Sequence, residues 1–160
     1  QAFIGLYTDD MRSNCRADVP APYVGWTTWI WVQPSDVGMM CAEFKIENPP
    51  WVLNTNTIVN PAHSVALGDP LNGVSICFAT CQTEWTWIYQ LSALPTAANV
   101  GYVNVVAHPD VGVFQVANCL EGYPLDSLVQ LNNLGINTDC EFAVGTETSS
   151  WGAIKSLITE

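Results

Sequence analysis

The chain has 160 residues, with fifteen acidic side chains against four basic ones and a formal charge of −11 at pH 7, a balance that repels polyanions such as nucleic acid and anionic membrane. Only 12% of residues are charged, whereas 49% are hydrophobic and seven are Trp, which excludes a solvated disordered segment. One domain over 1–160 is the natural count, because a chain of this length can bury roughly 70% of the surface it exposes when unfolded.

Strand signals dominate from the first residues onward: apolar and polar side chains alternate over short runs broken by Pro, Gly, Asn and Asp. Ala2–Thr8 is the first predicted strand, with Ile4 and Leu6 on one face and Phe3 and Tyr7 on the other. Tyr23–Gln33 is the second, with Trp29 and Trp31 on one face and Trp26, Thr28, Ile30 and Val32 opposite. Met40–Glu47 alternates Met40, Ala42, Phe44 and Ile46 against Cys41, Glu43, Lys45 and Glu47, a core face against a wet one. Pro49 and Pro50 end it. Asn56–Asn60 and Ser64–Leu67 read as short strands, followed by a turn over Asp69–Gly73 whose Asn72-Gly73 step suits positive φ.

Val74–Thr80 and Glu84–Leu91 form the next pair, Ala93–Asn99 is a loop, and Gly101–Ala107 and Val111–Asn118 are further strands. Cys119–Thr138 reads as loop, because Leu120, Leu125, Leu128, Leu131 and Leu134 follow neither strand nor helix period. A short strand over Glu141–Val144 comes next. In Ser149–Ile158, Ser149 or Ser150 caps a helix that places Trp151, Ile154, Leu157 and Ile158 on one face. Many short strands without intervening helical periods predict an all-β fold: one antiparallel β-sandwich, of jelly-roll type, with a short C-terminal helix. The longest apolar run falls short of the roughly 18–20 residues that span a bilayer, so no membrane span is expected.

Cys15, Cys41, Cys77, Cys81, Cys119 and Cys140, in a chain that opens on Gln1 like a processed mature protein, point to export and to disulfides. Six cysteines allow fifteen full pairings. Spacing hints at Cys77 with Cys81 in a small loop, Cys119 with Cys140 across the Leu-rich segment, and Cys15 with Cys41. A structural zinc site would need paired short-spaced ligands, which only Cys77 and Cys81 approach, so disulfides are the expected reading and no metal or cofactor is expected.

Chemistry-bearing motifs are sparse. His63 and His108 sit at strand ends without the context of an activated nucleophile. Glu43 with Glu47, or Glu84 with Glu121, are the only carboxylate pairs worth weighing for glycoside hydrolysis, and nothing selects them over plain solvated acids. Asp9, Asp10 and Asp18 lack the ligand spacing of a calcium loop. No catalytic residue is assigned and no enzymatic role is expected. The aromatics carry more: Trp29 and Trp31 share one strand face, and Trp85, Trp87 and Tyr89 another, so some rings are expected outside the core, as a platform for sugar or for protein.

The segment Glu147-Thr148-Ser149-Ser150-Trp151-Gly152-Ala153-Ile154-Lys155-Ser156-Leu157 resembles the ending shared by a family of uncharacterised exported proteins of environmental bacteria. The Ile4-Gly5-Leu6-Tyr7 opening before Cys15, Gly73-Val74-Ser75-Ile76 before Cys81, and Val116-Ala117-Asn118-Cys119 before Ile136-Asn137-Thr138-Asp139-Cys140 are similar to its landmarks. That resemblance implies an exported, disulfide-bonded β-rich domain without assigned activity. Trp51–Asn60 with its flanking strands is similar in pattern to cohesin-like sandwiches.

The leading functional expectation is a secreted or cell-surface structural subunit that assembles with copies of itself into a filament or sheet. The N-terminal strand, through Phe3, Ile4, Leu6 and Tyr7, would complete a neighbour's sheet, with Val111–Asn118 or Gly101–Ala107 as receiving edge. Trp151, Ile154 and Leu157 of the terminal helix would dock on the next copy. The commoner fate of terminal elements is to close their own domain. The alternative expectation is a secreted glycan-binding or cohesin-like adhesion module that contacts extracellular polysaccharide through Trp29, Trp31, Trp85, Trp87 and Tyr89.

Overall fold

A computed structural model describes residues 1–142. Twelve strands follow in chain order: β1 (Ala2–Tyr7), β2 (Arg16–Ala17), β3 (Trp26–Gln33), β4 (Met39–Glu47), β5 (Val52–Val59), β6 (His63–Asp69), β7 (Gly73–Gln82), β8 (Thr86–Pro95), β9 (Gly101–Val106), β10 (Gln115–Ala117), β11 (Leu125–Asn132) and β12 (Leu134–Ile136). They make an all-β sandwich. One layer runs β11-β1-β3-β8-β5 and the other is built around β4, which meets β7 and β10 over its first part and β9 over its last three residues. Strand β11 belongs to both layers, pairing with β10 through Leu125–Ser127 and with β1 from Leu128 onward. Pairing is antiparallel except for β1 with β11 and β2 with β12.

Alternation explains the core. Ile4, Leu6, Ile30, Val32 and Ile88 from one layer meet Ala42, Phe44, Val74, Ile76 and Val116 from the other, all at 1% exposure or less. The Asp69–Gly73 turn forms as expected, because Asp69 accepts from the Leu71 and Asn72 amides at 2.9 and 3.1 Å and Gly73 takes φ 115°.

Several regions depart from expectation; Ala93–Pro95, read as loop, ends β8, and β5 begins at Val52 rather than Asn56. Residues 119–138 are loop only at their ends: β11 and β12 occupy 125–136, and Asn132 and Asn133, which interrupt the apolar pattern, are buried. Asn132 donates to the Leu6 carbonyl at 2.8 Å, and Asn133 donates to Asn104 Oδ1 at 3.2 Å and Glu141 Oε1 at 3.1 Å. The amide groups of both spend their donors on hydrogen bonds inside the domain, while Asn132 Oδ1 is buried without a partner. Of Val111–Asn118 only Gln115–Ala117 is strand, and of Glu141–Val144 the described part makes a single bridge, Asn132 with Phe142. The Ser149–Ile158 helix, with Trp151, Ile154 and Leu157, lies outside the described residues.

The disulfides differ from the spacing hints in all three pairs: Cys15–Cys140, Cys41–Cys77 and Cys81–Cys119, with Cα separations of 5.8, 4.0 and 5.9 Å. Cys77 and Cys81 share strand β7, and four residues of extended chain separate them by about 13 Å, beyond the roughly 7 Å a bridge tolerates. Cys41 instead lies directly opposite Cys77 in the β4–β7 ladder. The Cys119 amide donates to the Val37 carbonyl at 3.1 Å, and the ideal Cβ position at Gly38 lies 2.8 Å from Cys119 Sγ and against Cys81 Sγ as well. Because β12 lies beside β2, the chain returns Cys140 to Cys15.

Strand β1 closes its own domain. It is paired with β11 on one side and β3 on the other, Ile4 and Leu6 are fully buried, Tyr7 is buried and Phe3 half-buried. The proposed receiving edges are occupied as well: β9 lies between β12 and β4, and β10 between β4 and β11.

Candidate functional site

The outward residues of β6, β7, β4, β10 and β11 stand in two transverse rows, set by the ladder registers. One row reads Leu67, Ser75, Glu43, Gln115 and Ser127; the next reads Val65, Cys77, Cys41, Ala117 and Leu125. The first is polar in its middle and the second apolar throughout, with the Cys41–Cys77 disulfide at its centre. Leu67, Leu125 and Val65 are 66%, 63% and 45% exposed, so both ends of the second row and the Leu67 end of the first carry large apolar side chains in water.

Glu43 anchors the polar row. Gln115 Nε2 donates to Glu43 Oε1 at 2.9 Å and Ser75 Oγ donates to Oε2 at 2.7 Å, and these two hydrogen bonds hold the carboxyl below its ordinary range. The group is therefore ionised and fixed in orientation, with acceptor capacity left on each oxygen. A hollow of about 230 Å³ lies over Glu43, Ser75, Gln115, Ala117, Leu125 and the disulfide. A second, of about 340 Å³, shares Glu43 and Ser75 and extends past Leu67 to His108 and Asp110. His108, placed at a strand end by the sequence, is buried, and its Nδ1 accepts from the Asp110 amide at 3.1 Å.

Sequence reasoning missed this face because it is assembled across five strands. The alternation of β4 gave Glu43 and Cys41 as outward residues, but nothing local ties them to Leu67 or Leu125. The carboxylate pair Glu43–Glu47 does not form a site, since four residues of extended β4 place them about 13 Å apart. Asp9 accepts from the Ser13 amide and hydroxyl, and Asp18 pairs with Arg16, so these acids serve local structure.

On the opposite face, the predicted aromatics do come together, except for Tyr89. Trp29 and Trp31 stack with centroids 6.4 Å apart, Trp87 meets Trp29 edge-on at 5.4 Å, and the Arg12 guanidinium lies 4.8 Å from the Trp31 ring and 4.6 Å from Trp85. Trp29, Trp85 and Trp87 are half-buried and Trp31 is buried, so the group is a packed cluster capped by Arg12 rather than a flat strip. Tyr89 points into the core, because a bulge opposes Ile30 and Trp31 to Tyr89 and Trp87 and reverses the alternation after Ile88.

Burial, and next the charge of Asp69, push the Tyr89 phenol up to about 12 from 10.0. Its folded pKa lies above the unfolded one, so the stability it contributes is complete below pH 10 and lost as pH rises from 10 toward 12. Denaturation midpoints measured through that window are expected to fall for the wild type and to fall less for Tyr89→Phe.

No protein-family model and no curated protein matches the chain. Solved structures do. The chain is similar to the cohesin module of a family 33 glycoside hydrolase from Clostridium perfringens, with TM-score 0.59 and 9% identity over 84% of this chain and 94% of that one. It is similar to a non-cellulosomal cohesin from Archaeoglobus fulgidus, with TM-score 0.55 and 8% identity over 84% and 88%. It is also similar to the sixth cohesin of scaffoldin B from Acetivibrio cellulolyticus, solved in complex with a Cel5 dockerin mutant, with TM-score 0.58 and 8% identity over 86% and 99%. At these identities the likeness is one of fold: the chain folds as a cohesin-like β-sandwich.

Proposed function

We propose that the chain is an extracellular, non-enzymatic protein-interaction module that docks a partner on the outer face of β6-β7-β4-β10-β11. The observation that carries this reading is the pairing of a fixed, ionised Glu43 with solvent-exposed Val65, Leu67 and Leu125 on one sheet face. Such a face offers an apolar contact surface together with an oriented acceptor for a hydroxyl or a cationic side chain of a partner. Three disulfides support an oxidising, extracellular setting. The similar cohesin bound to a dockerin supports a protein as the partner.

Affinity capture from the native extracellular fraction, with the wild type and Leu67→Asp/Leu125→Asp side by side, tests the docking face. Both positions are more than half exposed, so the fold tolerates the change. A polypeptide retained by the wild type and lost with the double variant is expected; equal retention, or none by the wild type, overturns the assignment.

A second reading, contact with extracellular polysaccharide at Trp29, Trp31, Trp85 and Trp87, draws support from the aromatic cluster on the other layer. Filament assembly by exchange of β1 requires Ile4 and Leu6 to leave their own core first, which makes it the least supported of the three.

A further inference from the structure

Strand β5 is an edge. Among the described residues it pairs with β8 alone, so one side of an eight-residue strand presents its backbone groups without a strand partner. Long edges of this kind are normally protected by Lys or Pro, and Val52–Val59 contains neither. Its one protective feature is a bulge at Thr55, which leaves Asn56–Val59 regular. The sequence around the edge is also free of charge. From Asn48 to Gly68 there is no Asp, Glu, Lys or Arg, in a chain whose formal charge is −11.

We infer that β5 is a self-association edge, on which a second copy of the chain adds its own β5 antiparallel, centred on Asn56–Val59. Two bodies of charge −11 repel at most approaches, and an edge whose strand and β8 neighbour carry no charged side chain lets them meet at low electrostatic cost. Antiparallel pairing of a strand with its own copy is two-fold symmetric and self-complementary, so it closes as a dimer. Ile58, 45% exposed, then packs beside Thr57 of the second copy, while the Asn side chains of β5 remain hydrated. The contact lies on the β8 layer and does not use the docking face.

Sedimentation equilibrium across a wide concentration range tests the inference. The mass is expected to rise from 17.4 kDa toward twice that value with concentration. It should do so more readily at about 1 M salt, where the screening length is about 3 Å, than at about 0.01 M, where it is about 30 Å. Ile58→Lys is expected to weaken dimerisation at least tenfold, Thr57→Lys serves if that variant folds poorly, and Leu67→Asp/Leu125→Asp leaves it unchanged. A single-chain mass under all conditions overturns the inference, as it also would if the edge were reserved for a strand of another protein. So does a dimer that Ile58→Lys or Thr57→Lys leaves intact, or one that strengthens at low salt. None of these outcomes bears on partner capture at Leu67 and Leu125, so the two assignments fail separately.

Discussion

Deletion of residues 1–9 is expected to leave the chain unfolded even with its six cysteines oxidised. Strand β1 sits inside the sheet, so its removal breaks the ladder to β3 over five residues and the parallel ladder to β11 at once. It also strips Ala2, Ile4 and Leu6, all fully buried, from the core. Truncating a single buried Ile or Leu to Ala costs about 2–5 kcal/mol, and the whole stability of a domain is about 5–15 kcal/mol. The two aliphatic losses alone approach that reserve, before the orphaned amides and carbonyls of β3 and β11 are counted. Far-UV circular dichroism and tryptophan emission report the outcome. A deletion variant that keeps β-structure and blue-shifted emission would show that β1 is dispensable to the domain and free to serve a neighbour.

Replacing Cys15 and Cys140 by Ser is expected to cost more stability than removing either other bridge. The Cys15–Cys140 link spans 125 residues, against 36 for Cys41–Cys77 and 38 for Cys81–Cys119. Chain-entropy reasoning gives about 5 kcal/mol for the long loop and about 4 kcal/mol for each of the shorter ones. Location widens the gap. Beside the long bridge, β2 and β12 pair over only two residues, and the Arg16 pairs with Asp18 and Asp139 are exposed ion pairs that contribute little. The denaturant midpoint of Cys15→Ser/Cys140→Ser is therefore expected to lie below that of Cys81→Ser/Cys119→Ser; the reverse order would contradict this assignment of stability.

Alternation was readable wherever a strand keeps period two. The reach of β1, β4 and β7, and the outward placement of Glu43 and Cys41, follow from it. Bulges were not readable, and they account for several differences. The shift between Met39 and Cys41 buries Met39 in place of Met40, and the bulge on β8 turns Tyr89 away from Trp87. The step in β1–β11 that skips Leu131 helps explain why the leucines of 125–134 fit no period. Disulfide connectivity and the two cross-strand rows are long-range consequences of topology, set by which strands become neighbours. Local spacing carries no such information, so Val65, Leu67 and Leu125 gave no signal as a group.

Hydroxyl-radical footprinting of the module alone and in complex with its captured partner tests the docking face most directly. Reduced oxidation at Val65, Leu67 and Leu125, with Trp29, Trp85 and Trp87 unchanged, is the expected result. Protection of the three tryptophans with those aliphatic side chains still reactive would contradict it and transfer binding to the opposite layer.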